Sequence, residues 1–258
     1  MANKRKKTVS GADSNVALAQ RDERRYMIAS NMSFASAEAY KLLRTNLMFS
    51  FSSSDGCRII GMTSSFRGEG KSLTSINLAY TLAEARKKVL LIEGDMRLPT
   101  MSTRLSLSST PGLSNLLVGL NSVGEAVQPF NVSVEDGSVI TVDVIVSGDI
   151  PPNPSELLGA ERMQSLLGLL REHYDYIVLD LPPVTAVTDA LVASRLVDGM
   201  VVVVRNNHAV RGALSETIRQ LKLVNTRILG FAFNGATESG STYYKGKNYY
   251  KKNYYYQK

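Results

Sequence analysis

A glycine-rich segment with a lysine and a hydroxyl follows the first strongly apolar run of the chain. It reads Ser64-Ser65-Phe66-Arg67-Gly68-Glu69-Gly70-Lys71-Ser72 and lies between a predicted strand and a predicted helix. Backbone N–H groups at such a junction cradle phosphate oxygens, the lysine reaches the β- and γ-phosphates, and the hydroxyl binds Mg²⁺. A glycine turn with a solvated lysine is the alternative interpretation, since Ser65 replaces the usual first glycine. The pattern predicts a Walker A loop whose nucleotide-binding residues are Gly68, Glu69, Gly70, Lys71, Ser72 and Leu73.

Two carboxylates close the next apolar run. Glu93 and Asp95 lie in the segment Leu90-Leu91-Ile92-Glu93-Gly94-Asp95-Met96-Arg97. Acids at positions i and i+2 of an extended chain point the same way, so we expect both to face one site. There they can hold a hydrated Mg²⁺ or accept a proton. A solvated strand end could carry the same residues. The two acids therefore indicate a site only in combination with the other motifs.

A third acidic residue, Asp180, ends the hydrophobic run Tyr176-Ile177-Val178-Leu179 and precedes Leu181-Pro182-Pro183. A carboxylate at the end of a hydrophobic strand is typical of the Walker B motif, which holds Mg²⁺ beside a phosphate loop. A strand-end acid before a proline turn is common in isolation. The three elements in this order favour a nucleotide and metal site.

The elements that would position these residues alternate along the chain. Helical stretches are predicted near 72–86, 155–173, 187–197 and 209–224, between short runs rich in Ile, Val and Leu. This alternation implies right-handed βαβ units with central parallel strands covered on both faces. We expect an α/β fold with a doubly wound, mainly parallel sheet of the P-loop NTPase type, helices on both faces and ligands at the carboxyl ends of the strands. The predicted strands are Arg58–Met62, Val89–Glu93, Val139–Val146, Tyr176–Asp180, Met200–Val204 and Arg227–Phe233.

The positive charge of the chain is concentrated at its two ends. The formal net charge of the 258 residues is +7, of which residues 1–25 contribute +4 and Tyr243–Lys258 contribute +5, leaving −2 between them. A near-neutral domain argues against nucleic acid as a partner, whereas basic ends suit anionic lipid or an acidic protein. The sequence predicts a basic flexible arm at 1–30, a P-loop domain at 31–238 with a helix at about 36–50, and a flexible tail at 239–258.

The single cysteine, Cys57, fits a reducing compartment, and no apolar run approaches the ~20 residues of a membrane helix. The N-terminal charges are not followed by the apolar stretch of a secretory signal. We therefore expect a cytoplasmic protein whose membrane contact, if it has one, comes through its ends or a partner.

Seven of the twelve tyrosines lie in the last sixteen residues, together with five lysines and no acidic residue. Neither a helical nor a strand period runs through them, so they are not expected to form a packed core. Such a tail is typical of a flexible interaction segment. If the domain transfers phosphate, the phenols become acceptors. The candidate phosphoacceptors are Tyr243, Tyr244, Tyr249, Tyr250, Tyr254, Tyr255 and Tyr256.

The chain from about Ser36 to Gly235, together with its tail, resembles the bacterial tyrosine kinase (BY-kinase) family in the form that has a separate cytosolic kinase chain. Jointly, the matching motifs are more specific than any one of them. They are Glu38-x-x-Lys41-x-x-Arg44, Gly68-Glu69-Gly70-Lys71-Ser72, Asp95-Met96-Arg97-Leu98-Pro99, Gly112-Leu113-Ser114, Pro152-Asn153-Pro154-Ser155-Glu156-Leu157-Leu158, Asp180-x-Pro182-Pro183, Thr188-Asp189-Ala190 and the tyrosine cluster.

The resemblance implies an ATP- and Mg²⁺-dependent kinase that phosphorylates the tyrosine tail of a neighbouring subunit in a ring. It implies a role in capsular or exopolysaccharide synthesis and export, activation by a membrane-anchored co-polymerase, recruitment to the inner face of the membrane, and a cognate tyrosine phosphatase. Asn234 is a weaker candidate for adenine recognition, with a strand-end turn as the alternative. The implied roles are catalytic for Lys71, Glu93, Asp95 and Asp180, metal-binding for Ser72, Asp95 and Asp180, and oligomerisation for Glu38, Lys41 and Arg44.

Three residues depart from the family pattern. Glu93 stands where the family has Asp, which places its carboxylate one methylene further out. Lys41 replaces an arginine and loses bidentate pairing, and Arg67 replaces a common proline. These departures concern catalytic efficiency and ring stability.

Two other functions share part of the pattern. A Min/Par-type partitioning ATPase has the same nucleotide motifs but carries Lys-Gly-Gly-x-Gly-Lys, where this chain has Phe66-Arg67-Gly68. A non-catalytic nucleotide-binding scaffold is the third hypothesis, which the substitution at Glu93 keeps open.

Overall fold

The computed structural model describes residues 32–51, 56–134 and 136–235. The predicted N-terminal arm and the tyrosine tail, including all seven candidate phosphoacceptors, lie outside the described residues. Within those ranges, none of the helices has both the length and the apolar character that crossing a bilayer requires.

The strands form one seven-stranded sheet in the order β3-β4-β2-β5-β1-β6-β7. All neighbouring pairs are parallel except β3 and β4, which are antiparallel. The mainly parallel, doubly wound sheet predicted from the sequence is confirmed. The strands are β1 (Arg58–Ser64), β2 (Val89–Glu93), β3 (Gln128–Ser133), β4 (Val139–Ile145), β5 (Tyr176–Asp180), β6 (Gly199–Arg205) and β7 (Ile228–Asn234).

Helices connect these strands, and most coincide with predicted helical stretches. The stretch predicted at 155–173 is two helices, because the chain becomes extended at Ala160. The helices are α1 (Phe34–Ser50), α2 (Lys71–Glu84), α3 (Met101–Leu105), α4 (Leu113–Val118), α5 (Val123–Ala126), α6 (Pro154–Gly159), α7 (Glu161–Arg171), α8 (Asp189–Ala193), followed by a 3₁₀ turn (Ser194–Leu196), and α9 (Arg211–Leu223).

Both faces of the sheet are buried, because successive strand residues alternate between two hydrophobic cores. In β5, Ile177 and Leu179 pack on the face that α7 covers, whereas Val178 packs on the face of α2. All three side chains are fully buried. This two-sided burial explains the uninterrupted apolar runs of the sequence.

Helix α1 lies beside α2, and the three residues predicted for oligomerisation lie on it. Ser33 caps its N-terminus by accepting the N–H of Ser36. Arg44 donates to the Thr81 carbonyl at 2.7 Å and lies 3.4 Å from Glu84. Lys41 pairs with Glu38 at 3.2 Å on the same helix. Arg44 therefore helps to fix α1 on α2 within one chain, while the contacts of the three residues with other subunits stay a prediction.

The register of the central strands brings the sequence motifs to one edge. Asp180 of β5 lies opposite Met62 of β1 and Glu93 of β2. Because the carboxyl ends of parallel strands meet at the same edge, the Walker A loop and the acidic residues converge there.

Candidate active site

The phosphate loop runs from the end of β1 into the first turn of α2. Gly68 and Gly70 have φ angles of +82° and +85°, a region that L side chains rarely adopt. Gly70 is the N-cap residue of α2, and no side chain caps this helix end. The first N–H groups of a helix have no partner inside it, so this end offers donors and a positive dipole to an anion. The loop has the geometry that phosphate binding requires.

Lys71 lies at the centre of the site, between two carboxylates. Its side chain is largely buried, and its Nζ lies 3.0 Å from Asp180 Oδ1 and 3.9 Å from Asp95 Oδ2. It also donates to Ser72 Oγ at 3.4 Å. The structure therefore brings together four of the residues predicted from the sequence: the Walker A lysine and serine, and two of the three acids.

Asp180 is fully buried, and one of its oxygens is unsatisfied. Oδ1 accepts from Lys71 and from Ser75 Oγ, each at 3.0 Å, whereas Oδ2 has no hydrogen-bond partner. An unpaired buried carboxylate oxygen is costly unless a cation or donor joins it. Mg²⁺ prefers a few carboxylate or hydroxyl oxygens and completes its shell with water and phosphate. Asp180, Asp95 and Ser72 supply such oxygens, so the residues present fit a magnesium–nucleotide complex.

Asp95 is the more accessible of the two acids near Lys71. Burial raises the pKa of its carboxyl, the Lys71 ammonium opposes that rise, and Asp180 adds to it. Its Oδ1 accepts the N–H of Leu98 at 3.3 Å. A carboxylate with one oxygen toward a lysine and a raised pKa is suited to hold a metal or to receive a proton.

Glu93 is at the edge of this group but makes different contacts. We expected its carboxylate to face the site beside that of Asp95. Instead Oε1 accepts the N–H groups of Thr100 and Met101 at 2.6 and 2.8 Å, and Oε2 accepts that of Ser147 at 3.1 Å. Burial is the main reason that the pKa of Glu93 is raised, although the three backbone donors lower it.

Asn234 and Glu69 hold the phosphate loop from inside. Asn234 donates from Nδ2 to the Glu69 carbonyl at 3.0 Å, and its amide lies so close to Gly70 that a Cβ there would be 1.9 Å from Nδ2. Glu69 is buried and accepts the N–H of Phe66 at 2.9 Å. Asn234 thus fixes the loop, and adenine recognition by this residue stays a prediction.

Two residues at the end of β6 and just after it support the phosphate loop from the other side. Arg205 donates to the Gly68 carbonyl at 2.8 Å, and His208 Nε2 lies 3.0 Å from the Arg67 carbonyl. An open cavity of about 560 Å³ adjoins the loop on this side. It is lined by Phe66, Arg67, Thr185, Ala186, His208 and Val210.

Arg97 and Asp189 form an ion pair next to the segment that carries Glu93 and Asp95, and neither residue was assigned a role from the sequence. Arg97 contacts the buried Asp189 through two bonds, Nε to Oδ2 at 2.9 Å and Nη2 to Oδ1 at 3.0 Å. Ser155 also donates to Asp189. Arg97 is two residues from Asp95, so the pair ties this loop to the segment after Asp180. Ser75, four residues after Lys71 on the same helix face, was also missed, although its i+4 spacing is a usable signal.

Comparison with known proteins places the chain in a family. The AAA domain model matches residues 57–229. Tyrosine-protein kinase YwqD of Bacillus subtilis (strain 168) is 36% identical over 208 residues, which are 81% of this chain and 84% of YwqD. The chain belongs to the bacterial tyrosine-protein kinase family. The family and the enzyme class predicted from the sequence are thereby confirmed.

Solved structures of these bacterial kinases have the same fold. The kinase domain of the Escherichia coli tyrosine kinase Etk matches with a TM-score of 0.72 and 33% identity, covering 80% of this chain and 78% of that one. The chimerical protein CapA2B2 matches with a TM-score of 0.69 and 32% identity, covering 77% and 84%. The septum site-determining protein MinD from Pyrococcus horikoshii OT3, at 22% identity and a TM-score of 0.56, covers 74% and 76% and shares the fold alone.

Proposed function

We propose that the protein is an ATP- and Mg²⁺-dependent protein tyrosine kinase that phosphorylates the tyrosine tail of a neighbouring subunit. The observation that supports this most directly is the convergence of Lys71, Asp95 and Asp180 beside the uncapped N-terminus of α2. Family membership favours tyrosine as acceptor over a partitioning ATPase or a scaffold. The tail then supplies the substrate, because Tyr243–Lys258 holds seven tyrosines.

The site residues divide the work of phosphoryl transfer. Transfer of this kind depends mainly on positioning and charge stabilisation. The loop N–H groups and Lys71 would bind the phosphates of ATP, while Ser72 and Asp180 would hold Mg²⁺, which would supply charge neutralisation at the phosphate oxygens. The phenol oxygen bonds to the γ-phosphorus, the bond to the β-phosphate oxygen breaks and ADP leaves. Asp95 receives the phenolic proton, because it is the more accessible of the two carboxylates beside Lys71 and Asp180 is left to hold the metal.

The test is incubation of the full chain with Mg²⁺-ATP, followed by detection of phosphotyrosine and mass spectrometry of residues 240–258. We expect phosphate on tail tyrosines that disappears with EDTA and in Asp180→Asn. ATP turnover without phosphotyrosine would identify a partitioning-type ATPase instead. Nucleotide binding without turnover would identify a scaffold.

We further propose that the kinase works as a ring-shaped homo-oligomer in which α1 meets the next subunit. Glu38 and Lys41 are each more than a third exposed, so Glu38 can exchange its weak intrahelical pair for a basic residue next door. Glu38→Lys should lower assembly mass and tail phosphorylation together, whereas Glu172→Lys on the exposed end of α7 serves as control. Light-scattering masses equal to wild type in Glu38→Lys would remove the proposed contact.

The tail would also control assembly through its charge. It carries +5, and each phosphotyrosine adds about −1.5 to −2. A fully phosphorylated tail would be repelled by Asp95 and Asp180 and by other tails, so the ring should loosen and a cognate phosphatase should be needed to reset it. Sedimentation of unphosphorylated and phosphorylated protein, at constant nucleotide, tests this. Equal assembly in both states would contradict it.

The cellular setting is proposed from the same family. We place the protein in the cytoplasm, recruited to the inner face of the membrane by a membrane-anchored polysaccharide co-polymerase that activates it. Its role would be regulation of capsular or exopolysaccharide synthesis and export. Co-expression with a membrane-anchored polysaccharide co-polymerase from the same organism should raise tail phosphorylation, and an unchanged level would argue against activation by such a partner.

A further inference from the structure

The side chain of Glu93 closes the loop that carries Asp95. Glu93 ends β2, and Thr100, whose N–H it accepts at 2.6 Å, is seven residues further along the chain. The six residues between them therefore start and finish at the same carboxylate. Asp95 lies inside this closed loop, with its Oδ2 toward Lys71.

The same carboxylate joins the loop to two further elements. Its Oε1 also accepts the N–H of Met101, the first residue of α3, and its Oε2 accepts the N–H of Ser147, which follows β4. Glu93 is 1% exposed, and Ser147 and Met101 are buried with it. Both oxygens are engaged by backbone donors, which cannot move away without moving the chain.

The length of the side chain decides whether this arrangement forms. An aspartate carboxylate at position 93 would be held about one C–C bond, ~1.5 Å, nearer the β2 backbone. Bonds of 2.6–3.1 Å lengthened by that amount are no longer hydrogen bonds. The three bonds to Thr100, Met101 and Ser147 thus require glutamate, rather than aspartate, at position 93.

We infer that Glu93 is a positioning residue, which fixes the closed loop so that Asp95 faces Lys71, and that it neither binds the metal nor accepts a proton. This rests on the proposed kinase activity only for its kinetic readout. The three donors to the Glu93 carboxylate belong to Thr100, Met101 and Ser147 and not to the phosphate loop, so loosening the closed loop should affect turnover more than ATP binding.

Two substitutions of Glu93 distinguish a positioning role from a carboxylate that reacts. A positioning role predicts a larger loss of kcat in Glu93→Asp, whereas a reacting carboxylate predicts a larger loss in Glu93→Gln. Glu93→Gln keeps a carbonyl oxygen for Thr100 and Met101, whereas Glu93→Asp keeps the charge but loses the reach. We expect kcat for tail phosphorylation to fall by about tenfold in Glu93→Asp, the equivalent of one hydrogen bond to a charged group, and by less in Glu93→Gln. KM for ATP should stay within about twofold. Glu125→Gln is the matched control, since Glu125 is an exposed residue of α5 that accepts the N–H of Ser122 at 2.7 Å.

Hydrogen–deuterium exchange gives a readout that does not need activity. Peptides covering 94–105 should exchange faster in Glu93→Asp than in wild type, with a smaller change in Glu93→Gln and none there in Glu125→Gln. An active Glu93→Asp together with an inactive Glu93→Gln would overturn the inference, as would unchanged exchange at 94–105 in Glu93→Asp. If wild type makes no phosphotyrosine, the proposed function fails, while the exchange experiment still decides whether Glu93 holds the loop.

Discussion

The charged residues at the two ends of the parallel strands differ in their burial and in how far their hydrogen bonds are satisfied. At the amino ends, Asp198 accepts the N–H of Ile59 at 2.7 Å and pairs with Arg171 at 3.0 Å, and Arg171 also donates to the Cys57 carbonyl. This pair is about one-third exposed. At the carboxyl ends, Lys71 and Asp180 are almost fully buried and Asp180 Oδ2 has no hydrogen-bond partner.

The difference distinguishes residues that stabilise the fold from residues whose unsatisfied groups suit a ligand. A pair that is one-third exposed and bonded to the backbone can complete its remaining hydrogen bonds with water, so we expect it to contribute to stability alone. A buried carboxylate with a free oxygen costs stability until a cation or donor arrives. Substitutions at the two ends should therefore change different measurements.

The largest effect is expected for Lys71→Met at the carboxyl ends. Loss of the ammonium removes charge stabilisation from the transferring phosphoryl group, where such a group is worth about 10²–10³-fold in kcat. Tail phosphorylation, measured with Mg²⁺-ATP, should fall by that amount, while circular dichroism shows that the fold persists. A mutant that autophosphorylates like wild type would show that the site is elsewhere.

Asp198→Ala tests the amino ends. It leaves the buried N–H of Ile59 without its acceptor and Arg171 without its partner, so the free energy of unfolding should fall by about 1–3 kcal/mol. Denaturant unfolding measures this, and kcat per folded molecule should stay at the wild-type value. Asp198→Asn, which retains an acceptor for Ile59, should lose less. If Asp198→Ala lowered kcat as much as Lys71→Met does, the two ends of the strands would not differ in function as proposed.

Arg97→Lys is expected to have an intermediate effect, because Arg97 belongs to the carboxyl ends yet is fully paired with Asp189. Lysine keeps the charge but loses the two-bond geometry. We expect kcat to fall by about tenfold, which corresponds to about 1.4 kcal/mol. Arg219→Lys is the control, since Arg219 makes the same two-bond contact with Glu216 on the exposed face of α9. Equal behaviour of both variants would show that the Arg97 pair does not support the site.

The smallest effect concerns Cys57 at the amino ends. Burial raises the pKa of its thiol to about 11, and the thiolate is the reactive form. Iodoacetamide should modify the native protein at pH 8 more than ~100-fold more slowly than the unfolded chain. The native rate should rise about tenfold per pH unit toward pH 11. Because folding favours the neutral thiol, the free energy of unfolding should fall as pH rises from about 8.5 toward 11. Rapid labelling at pH 8 would show that the amino ends open locally.

The sequence revealed the carboxyl ends of the sheet better than its edges. The strands before Glu93 and Asp180 were predicted with their observed bounds, since parallel strands buried on both faces are apolar at every position. Strand β3 was missed because Gln128, Pro129 and Asn131 resemble a loop, and only its pairing with β4 makes it a strand.

Site residues could be predicted from the sequence where they belong to a motif. Contacts that depend on how the loops fold could not. Lys71 and Asp180 meet because β1 and β5 are neighbours, which the motifs imply. The bonds of Glu93 to Thr100 and Ser147 join segments whose path depends on the loops, so alternation along a strand could not predict these bonds.

The ion pair between Lys71 and Asp180 would make nucleotide and metal binding depend on each other at the proposed site. Phosphate that draws Lys71 away would leave the buried Asp180 carboxylate with Ser75 as its hydrogen-bond donor and with Oδ2 still unsatisfied. Mg²⁺ bound alone at Oδ2 would lie close to the Lys71 ammonium, a like charge. Each ligand alone would therefore carry an electrostatic cost that the second ligand offsets. By reciprocity each would raise the affinity for the other by the same factor, so the anion and the cation of the substrate complex would bind together more readily than either binds alone.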